Sequence, residues 1–284
     1  MSARKLASLL DIGDFETAEN FLEQCDAKRL NIARLTGETV LHTAARKGNS
    51  QLIIKLVKVG ADPARECSDS KIPLQYYLHD NHNSDSEAIL PLIPQHNMDP
   101  FVMVDYIRLC RTHDAEVLAR MLLSTRPEDY FSLHGLTAIG HGSTEVFLLT
   151  EKKYKWVRLG YYLKNHQLSS ICVLVRKGLG AQTSPQCSAL LFHDRGEGPR
   201  YPGTSTVEES NAKYEEAAEK TKEIDALFGG CLSLFEQCCI TIRRSIQTPK
   251  HEKLRMLPIP PLVLEQVTLL SLCREVCESL QNSR

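Results

Sequence analysis

Thr36-Gly-Glu-Thr-Val-Leu-His-Thr-Ala-Ala-Arg-Lys-Gly-Asn49 is the stretch whose reading decides the fold. Thr39 is suited to cap a helix that begins at Val40, because its side-chain oxygen can take one of the unpaired first-turn N–H groups. Ala44 and Ala45 leave room for a neighbouring helix to pack closely, and Gly48 permits the turn that ends this helix. Leu52, Ile53, Leu56 and Val57 then recur at helical spacing and give a second helix one apolar stripe. Gly60-Ala61-Asp62 closes the unit with turn chemistry. The stretch is therefore a pair of short helices that cannot bury its own apolar face and needs neighbours.

Neighbours are legible on both sides. Pro73-Leu74-Gln75 stands 33 residues after Val40-Leu41-His42, with a helix around Ile89 to Ile93 that arrives a few residues late, so that 81–85 is expected to be a small insertion. A third copy runs from Leu109 to Leu123 and a fourth from Leu159 to Gly178, and Leu6–Cys25, turning at Gly13-Asp14, is a degenerate opening copy. The first unit, with Thr39, Leu41, His42 and Ala44 in place and Val40 where proline is usual, resembles an ankyrin repeat. The resemblance implies a mainly α fold, a solenoid of about four to five stacked repeats over residues 1–180, several of them eroded.

Residues 130–157 interrupt the pattern. Thr144–Thr150 and Tyr154–Val157 alternate like strands about the turn at Glu151-Lys-Lys153, so a β-hairpin insertion is expected at 140–158. Trp156, with Lys153 and Lys155 beside it, is a candidate contact for a partner protein; the competing reading packs Trp156 against the next repeat. Residues 181–230 form a connector, first Pro- and Gly-rich, then a helix with Ser205 and Glu208 in capping-box spacing that stops at Gly229-Gly230.

The C-terminal part, 231–284, opens a new helix at Ser233, with Glu236 three residues on in a second capping box. Leu234, Cys238, Ile242 and Ile246 recur every four residues along one face, and Arg243 and Arg244 sit near the C-terminal end, where positive charge suits the helix dipole. Ser233-Leu234, Cys238 and Ile242 resemble the elongin-binding half of a suppressor-of-cytokine-signalling (SOCS) box, and Leu257-Pro258-Ile259-Pro260 its cullin-binding half. Together with the repeats, the chain resembles the ankyrin-repeat and SOCS-box family. That resemblance implies a non-catalytic adaptor. Ser233, Leu234, Cys238 and Ile242 would dock on elongin C, itself paired with elongin B. Leu257 to Pro260 would favour cullin-5 with its RING subunit, and the repeats would hold a target protein. The alternating prolines stiffen an extended segment and lower the ordering cost of docking. Beyond Leu262 an amphipathic helix is expected through Leu280. Two alternatives stay open: an ankyrin scaffold with no ligase link, in which 233–280 only caps the stack, and an enzyme with an unrecognised cysteine nucleophile.

The rest of the sequence argues against other functions. A formal net charge of −1 gives no general attraction to nucleic acid or anionic membranes. No apolar run is long enough to span a bilayer. An opening with Asp11 and Asp14 instead of an apolar signal core points to a cytoplasmic protein whose ten cysteines stay reduced. Gly135–Gly140 has phosphate-loop spacing but is followed by His141 where lysine is required. His251-Glu252 begins a zinc-protease pattern that fails at Arg255. Cys273 and Cys277 fit a helix stripe with no second ligand pair. No catalytic residue, metal or cofactor is expected.

Overall fold

The computed structural model describes residues 3–22, 27–81, 85–125, 170, 173–180, 226, 230–246 and 250–282. It is mainly helical, with no strand among the described residues. The hairpin expected at 140–158, with Trp156, Lys153 and Lys155, and almost all of the connector 181–230 lie outside them. The chain divides into two compact units, Met1–Thr125 with Ile246–Cys277, and Arg126–Ser245 with Glu278–Arg284.

In the first unit eight helices form four consecutive pairs: α1 (Ala3–Ile12) with α2 (Phe15–Leu22), and, after the short α3 (Ala27–Leu30), α4 (Val40–Lys47) with α5 (Ser50–Val59), α6 (Pro73–Asn81) with α7 (Ser86–Leu92), and α8 (Pro100–Leu109) with α9 (Ala115–Ser124). The first helices pack in the order α1, α4, α6, α8 and the second in the order α2, α5, α7, α9, giving two layers with the core between them. Several starts have a local cause. Asn49, Asp85 and Asp114 accept first-turn N–H groups of α5, α7 and α9 through their side chains. Residues 82–84, most of the expected insertion, lie outside the described residues.

Thr39 and His42 lock the start of α4. The Thr39 N–H donates to His42 Nδ1 at 3.0 Å, which obliges the ring proton onto Nε2, and Nε2 then donates to the Lys71 carbonyl at 3.1 Å. The ring is fully buried and links one helix pair to the loop of the next. Burial holds its pKa below the usual histidine value, although the Lys71 carbonyl acts the other way. Similar ties recur along the stack. The Asp62 N–H donates to Asn31 Oδ1 at 2.8 Å, the Ser68 N–H to the Thr36 carbonyl at 3.0 Å, and Asn81 Nδ2 to the Ala45 carbonyl at 2.9 Å. Gly37 is required where these loops meet: its φ is +74°, and an added Cβ would lie 2.5 Å from the Ser68 nitrogen.

The same unit contains residues 250–277. After α11 (Lys250–Arg255) come α12 (Pro261–Val267) and α13 (Leu270–Asn282). The single helix expected over 262–280 is therefore two. Thr268 turns its hydroxyl back to the Leu264 carbonyl at 2.8 Å, and Leu269 adopts a positive φ of 68°, which ends α12. Cys273, Val276 and Cys277 are buried side chains of α13.

In the second unit the described residues centre on α10 (Leu234–Ser245), which packs on a single wide π-type turn, Leu174–Leu179. This turn is the end of the fourth expected copy; the rest of that copy, apart from Ser170 and Val173, is outside the described residues.

Candidate partner-binding site

Helix α10 starts as its sequence dictates. The Glu236 N–H donates to Ser233 Oγ at 3.2 Å, and the Ser233 N–H and hydroxyl both donate to Glu236 Oε2 at 2.8 Å, a reciprocal cap. Partial burial opposes ionisation of Glu236, but these two donors, with Lys177 and Arg176 nearby, hold its carboxyl below the usual range.

The buried face of this helix is not the stripe picked out by sequence periodicity. Cys239, Ile240 and Arg243 are the buried residues. Arg244 Nη2 donates to the carbonyls of Leu179 at 3.1 Å and Gly180 at 3.3 Å, and Arg176 Nη2 donates to the Gly230 carbonyl at 2.6 Å. The two arginines expected to serve the helix dipole thus also fasten the helix: Arg243 by burial, Arg244 by binding the end of the π-type turn. Outward, Leu234 is 77% and Phe235 49% exposed, Cys238 is exposed and Ile242 half-buried. Ser233, Leu234, Cys238 and Ile242 therefore form one outward ridge on a helix anchored from behind. Phe235 extends the ridge by a bulky apolar side chain that the spacing of the stripe did not pick out; its only sequence signal is a large apolar residue beside Leu234.

The second candidate segment lies in the first unit, between α11 and α12. Leu257 and Ile259 are half-buried, while Pro258 and Pro260 are exposed. The Ile259 N–H donates to the Leu257 carbonyl at 2.9 Å, a tight kink, and Pro260 and Pro261 then open α12, with the Leu264 N–H on the Pro260 carbonyl at 2.9 Å. Met256, 83% exposed, and Leu262, 81% exposed, flank the segment and were missed by the motif reading.

Both segments fall within one match. Residues 230–265 match the family model of the SOCS box. The SOCS-box match begins three residues before the capping serine, runs across the ridge of α10 and the proline kink, and ends inside α12. SOCS boxes in general attach a protein to an elongin–cullin ubiquitin ligase as an adaptor, not as its catalytic subunit. No curated protein matches the chain.

Other chemistry is sparse among the described residues. No group of three or more His, Cys, Asp or Glu side chains is placed to hold a metal ion, and no helix is long and apolar enough to cross a membrane. Of the residues of the failed zinc-protease pattern, His251 is buried on α11, and Arg255, exposed on the same helix, pairs with Glu116.

Proposed function

We propose that this chain is the substrate-recognition adaptor of an elongin B/C–cullin-5–RING ubiquitin ligase. In this reading Ser233, Leu234, Cys238 and Ile242 dock on elongin C, Leu257 to Pro260 face cullin-5, and the stacked helix pairs, read as ankyrin repeats, hold the target protein. The observation that carries it is the outward ridge of α10 inside the SOCS-box match: a capped, anchored helix presenting Leu234 and Cys238 to solvent. Burying a leucine side chain this exposed contributes about 1.5–2 kcal/mol to a complex. Cys238, one turn on, is small enough to let a partner helix approach closely. The adaptor forms and breaks no bonds; it raises the effective concentration of a target lysine beside a ubiquitin-charged enzyme. The ankyrin reading is supported by the two-layer packing and by side-chain ties reaching from one helix pair to the next.

Co-purification of elongins B and C with the full chain tests the assignment. Because Leu234 and Cys238 are exposed, Leu234→Ala with Cys238→Phe should leave thermal stability almost unchanged and reduce elongin recovery at least tenfold, or about 1.4 kcal/mol. Equal recovery with both forms would sink it. A second reading, an interaction scaffold with no ligase link, is favoured by one observation: α11 and α12 share a compact unit with the helix pairs, as a terminal cap would. Elongin recovery decides between them, since a cap needs no elongin.

A further inference from the structure

Helix α11 has only six residues, too few to hold a helix alone in water. It is formed because it is docked on α9. Leu254 is fully buried and His251 nearly so. Arg255 Nη2 lies 3.1 Å from Glu116 Oε1, and Arg120 Nη2 lies 3.8 Å from Glu252 Oε1. Each helix supplies one acid and one base, so only one register and direction satisfies both pairs. Partly exposed ion pairs add little net stability, and the burial of Leu254 supplies most of it; the pairs set where α11 sits.

The docked helix passes directly into the proposed cullin-facing segment. The Met256 N–H donates to the Lys253 carbonyl at 3.3 Å and the Leu257 N–H to the Leu254 carbonyl at 3.2 Å, so Met256 and the first residue of the segment, Leu257, are tied to the last turn of α11. The Leu257–Ile259 kink and three prolines between 258 and 261 leave the remainder little freedom. At the other end, Asp114 caps α9, Glu116 lies in its first turn, and Arg120 follows one turn later.

We propose that the dock of α11 on α9 is a positioning device for the ligase: Glu116 and Arg120 fix Arg255 and Glu252, so that the segment from Met256 to Leu262 is preformed for cullin before the two meet. This rests on the reading of residues 257–260 as cullin-facing. Glu116 and Arg120 are positioning residues, since they act through α11 and not on the partner. A preformed segment spares the complex the cost of ordering it on binding. It also makes α9, part of the target-holding stack, the element from which the cullin-facing segment takes its direction.

The test uses the full chain co-expressed with elongins B and C, as wild type, Arg255→Glu, Glu116→Arg, the double reversal, and Arg255→Lys. Amide hydrogen exchange over 250–262 and capture of a cullin-5–RING complex are both read. Each single reversal is expected to speed exchange there and weaken cullin capture about five- to tenfold while elongin recovery stays constant. The double reversal and Arg255→Lys should regain most of both. Unchanged exchange and capture in the single reversals, or no recovery in the double, would overturn the positioning role alone. A wild type that holds elongins but captures no cullin-5 would overturn the cullin reading and the positioning role together.

Discussion

His251 is a buried imidazole that feels the positive charge of Arg120 and Arg255. Burial lowers its pKa most, and Arg120 and Arg255 lower it further against the weaker pull of Glu116 and Glu252, down to about 4 from an ordinary 6.5. Nε2 has no hydrogen-bond partner among the described residues. The unfolded chain therefore takes up this proton at a higher pH than the folded one. The stabilisation is complete above pH 6.5 and is lost as the pH falls towards 4, roughly 3 kcal/mol in all from this residue. His251→Leu should flatten that part of the stability-against-pH curve, measured by urea unfolding between pH 4 and 7; an unchanged slope would show that His251 does not titrate this way. His42, by contrast, was legible in advance as a signature residue, because its neighbours Thr39 and Ala44 come with it in sequence. The local sequence marks His251 only as part of a failed zinc-protease pattern; the burial and the charges of Glu116 and Arg120 come from a helix more than a hundred residues earlier.

Elements were legible where their causes are local. The capping box at Ser233–Glu236 and the turn at Gly48 are examples, since each side chain bonds within a few residues of itself. Two features needed the third dimension. Periodicity could draw a stripe through Leu234, Cys238 and Ile242 but could not say that the face with Cys239, Ile240 and Arg243 is the one that packs. The break between α12 and α13 falls at Thr268-Leu269, with neither glycine nor proline to announce it. The anchoring of α10 depends on a close approach at Gly180, where φ is +73° and an added Cβ would meet two Ile240 side-chain carbons at 2.9 Å. Gly180→Ala should cost about 1–3 kcal/mol and loosen α10. Faster amide exchange over 234–245 with unaltered exchange in α4 and α5 is the expected pattern; uniform exchange would place the strain elsewhere.

At the scale of the molecule, the stack in the first unit is held by contacts between successive pairs, the arrangement expected when no pair can bury its own face. Its period could be read from residues 36–62 because one copy keeps its caps and turns. The helix starting at Pro100 was not read, because every residue of α8 from Val102 to Ile107 is buried, Asp105 included, and a helix covered all round has no stripe to betray it. The ridge of α10 has a consequence for supply. Leu234 and Phe235 side by side in water are an adhesive surface whenever no partner covers them. A chain made in excess of elongin would carry that surface openly, the kind of flaw by which cells recognise orphaned subunits. Co-expression with elongins B and C should therefore raise the soluble yield several-fold over the chain alone, and Leu234→Ser with Phe235→Ser should raise the yield of the lone chain to match. Abundance would then be set less by how fast this chain is made than by how many partners wait for it.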